Sequence, residues 1–445
     1  MAEMKQYIDF FEQHRDRINR FCAPLLNARR EKALETFRQS GFPDTRPSGN
    51  YAYTDIAGLL KADFGFYLNP SSQTLDPRRI FPCTLANLNA FKQYIVNGWF
   101  YDAKDETDIP SGVFSGSLNV FAEQYPQVFS AYFNRLAAEK GDGLSAFNTL
   151  FVQDGYVLYI PKNTVAGKIF QLTNISGGTN HSLTNRRILV ILEPGAQAQL
   201  LVCDHATVEK PALAATQVVE IYAGENASFD FYELEESNRN AIRLTANFVQ
   251  QEASSTVIIN NITLNNGITR NNYQVDLNGP QAELHLNGIA IADQNQQVDN
   301  FTQINHIAPQ CRSKELFKYL LDDEATGAFN GQIVVAPDAQ KTEACQTNRN
   351  LLGNRRCRMF SKPQLEIYAD DVKCSHGMTT GQLDENALFY MRSRGIPEAE
   401  AILLLKIAFT NDVLQSIRIE GLRERLKLLI DKRFRGELIK CQGCI

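Results

Sequence analysis

No stretch of the 445-residue chain comes near the roughly 18 consecutive apolar residues of a membrane span. The N-terminal run Met1-Ala-Glu-Met-Lys-Gln-Tyr-Ile-Asp9 lacks the apolar centre of a signal peptide, so a cytoplasmic protein is expected. The Walker A pattern GxxxxGK[ST] is absent, which argues against intrinsic nucleotide hydrolysis. So are a GxSxG elbow, an HExxH pair and a GxGxxG following a strand, and with them the common hydrolase, metalloprotease and dinucleotide readings. Charge of one sign is also scarce. A net charge of −5 gives no basis for nucleic acid or an anionic membrane as partner. Histidines number six, at 14, 181, 205, 285, 306 and 376, and are scattered. His285 and His306 read as hydrogen-bonded residues of a β-core. Glu235-Glu236 and Asp322-Asp323 read as solvated surface pairs. The nine cysteines are odd in number and irregular in spacing, unlike a disulfide framework. Cys441-Gln-Gly-Cys444 has no second CxxC to complete a zinc site.

What is present is ordinary globular composition, 44% hydrophobic and 21% charged, over a length sufficient for two or three domains. Ile8, Phe11, Ile18 and Phe21 predict one amphipathic helix that Pro24 ends. Leu34 and Phe37 lie on a second, closed by Gly41. Tyr94 to Tyr101 reads as strand, Asn-Gly turn and strand, and Gln124 to Lys140 as helix. Phe147 to Pro161 reads as the opening of a β-region, with Asp154-Gly155 as its turn. From about 150 to 372, short alternating runs dominate. Tyr273-Gln-Val-Asp-Leu-Asn-Gly279 and Ala282-Glu-Leu-His-Leu-Asn-Gly288 are near copies, and both stop at Asn-Gly. Such stops fit hairpin turns of a sandwich or corners of a β-solenoid, and no strict period decides between them. From Asp384, a good N-cap, the pattern is helical. Leu388 and Phe389 fall on the apolar side, Gly395 ends that helix, and Pro397 opens the next. Residues 401–409 are apolar nearly all round, so this helix must be covered by its own domain or by a partner.

Strands and helices meet at Tyr368-Ala-Asp-Asp-Val-Lys-Cys-Ser-His-Gly-Met-Thr-Thr-Gly-Gln-Leu-Asp384. In an extended segment Cys374 and His376 project to one side, because side chains alternate. A thiol and an imidazole together suit iron, zinc or copper, or the activation of a thiolate. Asp370 and Asp371 stand just upstream, placed to orient the imidazole.

Asp371 to Asp384, with Leu388-Phe-Tyr-Met-Arg-Ser-Arg-Gly-Ile396, resembles the SufD branch of the SufB/SufD family of iron–sulfur cluster assembly proteins. The resemblance extends upstream through Phe329-Asn-Gly-Gln-Ile-Val-Val335, Asp338-Ala-Gln-Lys-Thr342, Gln346-Thr-Asn-Arg-Asn-Leu-Leu352 and Lys362 to Val372. Weaker matches cover most of the chain. Tyr51 and Ala52 depart from the family's Trp and Lys near the N-terminus, and Met378 from its usual small residue.

The resemblance implies a mainly β protein with a right-handed parallel β-helix core flanked by helical regions. The expected divisions are an N-terminal helical and mixed domain at 1–145, a β-helix core at 146–380 and a C-terminal helical, ATPase-binding domain at 381–445. It implies a scaffold subunit, not an enzyme, with no catalytic residue of its own. That subunit pairs with a SufB-like paralogue, with a homodimer possible in isolation, and binds a SufC-type ABC ATPase through Leu388, Phe389, Arg392, Arg394, Gly395 and Ile396. His376 and Cys374 map onto the family's histidine and cysteine as ligands for iron or a nascent cluster. Cys357 lies at about the place of a functional SufB cysteine, although burial as a small hydrophobe is its expected state. Iron or a cluster would be held transiently in the complex, with no cofactor bound stably by this chain alone; the residues leave flavin binding open. Two other functions stay open: a stand-alone metal enzyme with Cys374, His376 and Asp371 as ligands, and a purely structural dimerisation module.

Overall fold

The computed structural model describes residues 2–46, 49–70, 76–80, 89–102, 109–178, 180–207 and 212–437. Cys83, Cys441 and Cys444 lie outside them.

The N-terminal stripes form α1 (Ala2–Asn19) and α3 (Arg30–Ser40), but α1 ends before Phe21, which is exposed, and Pro24 opens a short α2 (Pro24–Asn27) instead of closing the first helix. Ile8, Phe11, Ile18, Leu34 and Phe37 are buried. Gly41, at φ 60°, ends α3 where a Cβ would be strained. After α4 (Ile56–Leu59) and α5 (Pro77–Ile80), β1 (Ala90–Val96) and β2 (Trp99–Tyr101) form the expected hairpin. Its turn has positive φ at both Asn97 and Gly98, as a two-residue turn of this twist requires. Next come β3 (Phe114–Ser117), α6 (Leu118–Gln124), α7 (Pro126–Tyr132), α8 (Arg135–Lys140) and α9 (Gly143–Phe151).

Two readings of this region need correcting. Gln124 to Lys140 is not one helix: Asn134 adopts a left-handed conformation between α7 and α8. Phe147 to Phe151 is not strand but the second half of α9. The Asp142 carboxylate caps that helix on the N–H groups of Leu144 and Ser145. Phe147 and Phe151 pack edge-on or tilted against Tyr7 and Phe37, and Phe151 stacks on Phe66, a tertiary aromatic cluster that overrides local β-propensity.

The remaining strands are β4 (Tyr156–Ile160), β5 (Ile169–Ser176), β6 (Ser182–Leu192), β7 (Gln197–Ala206), β8 (Leu213–Ala223), β9 (Ser228–Glu236), β10 (Ile242–Gln251), β11 (Thr256–Asn265), β12 (Ile268–Leu277), β13 (Glu283–Ala292), β14 (Gln297–His306), β15 (Arg312–Leu321), β16 (Thr326–Val335), β17 (Glu343–Leu352), β18 (Arg358–Ile367) and β19 (Lys373–Gly381). Odd strands from β5 to β19 stack in parallel in one sheet and even strands from β4 to β18 in the other. Each strand therefore pairs with the strand two further on, so the fold is a β-solenoid of two facing sheets. Two strands from before residue 146 join its sheets: β1 pairs in parallel with β5 and β3 antiparallel with β4.

The corners hold non-glycine residues at positive φ: Asn226, Ser254, Gln281, Gln310 and Lys341. Corner N–H groups bond to the next coil, Gln281 to the Pro309 carbonyl, Gln310 to Gln340 and Lys341 to Asp371. Asn278-Gly279 is such a corner. Asn287-Gly288 is not: it lies inside β13, where a Cβ on Gly288 would stand 2.4 Å from the Phe317 ring. Close packing, not a turn, explains that glycine.

Apolar residues from alternate strand positions fill the lumen. Its N-terminal half also holds ion pairs. Glu235 and Glu236 are buried, contrary to the surface reading, and the Arg243 guanidinium lies among Asp204, Glu233 and Glu235. A charge pairs there because an isolated one would be untenable.

α10 (Glu385–Ser393), α11 (Glu398–Gln415) and α12 (Glu420–Phe434) complete the chain. α11 and α12 lie on the outer face of the odd-strand sheet, burying Val413, Leu414, Leu422 and Leu426 against Ile289, Ile291 and Leu320. Lys318 Nζ donates to the Phe409 carbonyl and to Asp412, and Arg433 binds the Leu264 carbonyl and Asp293. α11 and α12 thus do not stand apart from the solenoid. Pro397 precedes α11 as its N-cap and is not its first residue.

Candidate functional site

The solenoid ends on β18 and β19, the outermost strands of the two sheets. Among the described residues β19 pairs only with β17, in the register Ala344 with Cys374 and Gln346 with His376. Lys373 N donates to the Thr342 carbonyl, so in the alternating pattern of a parallel ladder the N–H groups of His376 and Met378 point to the open edge.

Cys374 and His376 share a face, as alternation predicts. It is the lumen side: Cys374 packs on the apolar core above Ala344, and Gln346, below His376, is buried. No coil covers this last layer, so His376 is exposed despite its inward-facing position. Burial raises the Cys374 thiol above its usual value, partly offset by the Ala344 backbone N–H. Burial thus works against an activated thiolate at this position.

Asp370 and Asp371 sit on the corner before β19. Asp371 is tied there by its backbone, to Lys341 N and to the Gln340 side chain. Roughly 10 Å of strand separates the corner from His376 at about 3.3 Å per residue, and neither carboxylate hydrogen-bonds the imidazole. The corner therefore does not orient His376, and Asp371 does not join Cys374 and His376 in a ligand set. Among the described residues no group of three or more His, Cys, Asp or Glu side chains could hold a metal ion.

Cys357 is buried at the opposite end of the coil, just before β18, with its thiol donating to the Asn354 carbonyl. Consecutive strands run in opposite directions across the lumen, as the hydrogen bond between His306, ending β14, and Ser313, beginning β15, shows. Cys357 is thus level with the end of β19, roughly 20 Å from Cys374 at the rise of an extended strand. The structure does not bring it to the pair.

α10 follows β19 directly, capped by the Asp384 carboxylate on the N–H groups of Asn386 and Ala387. None of its residues is buried, and Phe389 is 72% and Tyr390 58% exposed. Phe389 therefore does not face the chain's own core. Leu388 and Ile396 are half-buried. Arg394 lies over the Tyr390 ring at 5.2 Å, and Arg392 pairs with Glu398. Gly395 ends the helix at φ 87°. Two adjacent aromatic rings thus stand in solvent on a helix with no buried residue.

Two lumen residues below His376 were not singled out from sequence, Glu315 and Gln346. Their signal, polar residues at inward strand positions, is readable only once the strand's facing is known.

The chain matches the SufBD core domain family of the SUF FeS cluster assembly system over residues 174–409, and the SufBD protein N-terminal region over residues 1–172. It is 28% identical to the iron–sulfur cluster assembly protein SufD of Escherichia coli, over 91% of this chain and 92% of that protein. It is 27% identical to an iron–sulfur cluster assembly SufBD family protein of Synechocystis, over 92% and 91%. It is 24% identical to SufD of Bacillus subtilis, over 72% and 74%.

Proposed function

Because the chain belongs to the SufBD family of SUF-system iron–sulfur cluster assembly proteins, we propose that it is the scaffold subunit that closes a cluster-building site with a partner's help. Its open solenoid end pairs with a SufB-like paralogue, and α10 with its flanking turn recruits a SufC-type ABC ATPase, in the cytoplasm. In isolation the same end accepts a second copy of this chain. The observation that carries the reading is the uncovered last coil, where unpaired strand edges and the lumen-facing Cys374 and His376 occur together. An exposed sheet edge invites another strand.

The cargo is iron or a nascent cluster, which needs about four thiolate or imidazole ligands. This end offers two, so the partner supplies the others. Burial disfavours the Cys374 thiolate, so iron that binds its sulfur must displace the thiol proton to a base. His376, exposed and without a hydrogen bond, is the more accessible of the pair. A stand-alone metal enzyme gains nothing from this geometry, since Asp371 and Cys357 lie away from the pair. A purely structural dimerisation module would leave both side chains dispensable.

The test is His376→Ala in the complex assembled with the paralogue and the ATPase. Folding, pairing and ATPase binding should be unchanged, while cluster formation per complex, read from visible absorbance, falls at least tenfold. Cys374→Ser should give a milder loss. Wild-type yield in both variants would refute the assignment.

A further inference from the structure

Below the open end the lumen is largely apolar, and among the polar side chains within it one column runs up to His376. Glu315 on β15, Gln346 on β17 and His376 on β19 are successive partners in the parallel register. Parallel register partners put their side chains on the same face, about 4.8 Å apart.

Gln346 is fully buried, and its Nε2 donates to Glu315 Oε2 at 2.7 Å. That bond fixes which end of the amide points down the column. Gln346 Oε1 is buried with no hydrogen-bond partner. Across the lumen, a Cβ on Gly331 would stand 2.3 Å from Gln346 Nε2 and 2.8 Å from the Phe329 ring. The glycine clears room for this amide in this place. Buried polar groups almost always find partners, so the acceptor lacks one that the isolated chain does not supply. The next residue up the column, His376, makes no hydrogen bond with any described residue.

We propose that Glu315 and Gln346 are positioning residues for His376: Gln346, held by Glu315, offers Oε1 to the imidazole N–H left over when the other ring nitrogen binds iron. The proposal rests on the role of His376 given above. An acceptor on that N–H selects the tautomer and aims the free nitrogen out of the lumen, toward the partner's side of the site. It would supply the support that Asp370 and Asp371, tied to the corner, do not.

The assembled complex tests this with Gln346→Leu, Gly331→Ala and the exchange pair Glu315→Gln with Gln346→Glu. In the exchange pair, residue 346 is again held from below and still presents an acceptor above. Selectively 15N-labelled histidine reports the His376 tautomer by NMR, and visible absorbance reports cluster formed per folded complex. One neutral tautomer is expected in the wild type and the exchange pair, and a mixture in Gln346→Leu and Gly331→Ala. Cluster yield should fall about tenfold in those two variants and recover in the exchange pair. A single tautomer with undiminished yield in Gln346→Leu, beside a defective His376→Ala, overturns the positioning role and leaves that of His376 standing. Undiminished yield in His376→Ala overturns the role beneath it. If Gln346→Leu does not assemble, Gly331→Ala and the exchange pair decide by the same two readouts.

Discussion

Burial sets the protonation of the residues beneath the site, and with it a pH dependence. Glu315 is fully buried, which pushes its carboxyl up to about 7 despite the hydrogen bond from Gln346. The unfolded chain loses this proton near the ordinary value, so between about pH 4.5 and 7 the folded state binds more protons than the unfolded one. Stability from this group is therefore present at low pH and lost as pH rises through that window. Glu315→Gln should grow more stable relative to wild type across pH 4.5 to 7, by up to about 3 kcal/mol, and level off above. Urea unfolding at a series of pH values measures this; a difference independent of pH would refute it. His306 carries the opposite sign. Burial holds its imidazole down to about 4, so its contribution is complete above about pH 6.5 and is lost as pH falls toward 4. The sequence supported a hydrogen-bonded core role for His306, and it bonds Ser313 inside the lumen. His285 instead pairs with Glu283 on the partly exposed outer face. Nothing in the spacing of Glu315, Gln346 and His376 linked them, because register partners are about 30 residues apart in the chain.

Among the elements, β19 and α10 carry the two proposed contacts with partners. The Met378 N–H points to the free edge and not to β17, so Met378→Pro removes a donor that this chain does not use. The variant should fold with its melting temperature little changed and lose association with the paralogue at least tenfold, measured by sedimentation or co-purification. Retained association would place the interface elsewhere. On α10, truncating the exposed Phe389 and Tyr390 to Ala should change stability by less than about 0.5 kcal/mol and abolish ATPase co-purification. Both elements were legible in part. The Asp384 cap and the Gly395 stop are local signals and delimit α10 well. The coils were harder to read. β11, β13, β15, β17 and β19 begin at Thr256, Glu283, Arg312, Glu343 and Lys373, intervals of 27, 29, 31 and 30 residues. Corners turned by Ser254, Gln310 and Lys341 at positive φ carry no glycine to announce them.

At the scale of the molecule, the C-terminal helices belong to the solenoid. Removing residues from Glu398 onward would strip α11 and α12 from Ile289, Ile291 and Leu320 and leave an apolar sheet face in water. Such a truncation should bind an apolar dye and aggregate, whereas the point changes on α10 should not. A soluble, monodisperse truncated chain would show the helices to be dispensable. Within the intact chain, Leu426→Ala should cost roughly 2–5 kcal/mol as a buried large-to-small change, seen as a lower denaturant midpoint. The sequence by itself determined the family, the mainly β middle, the helical ends and the common side of Cys374 and His376. Those rest on consecutive residue types and on a period of two or near four, which are local properties of a chain. Only the tertiary structure decided that Phe147 is helical, that Glu235 is an interior ion, that Asn287-Gly288 is strand, and that Cys357 and Asp371 stand away from His376. Each depends on which coil lies above and below a residue, and stacking sets that across gaps of about 30 residues with no periodic mark in the sequence.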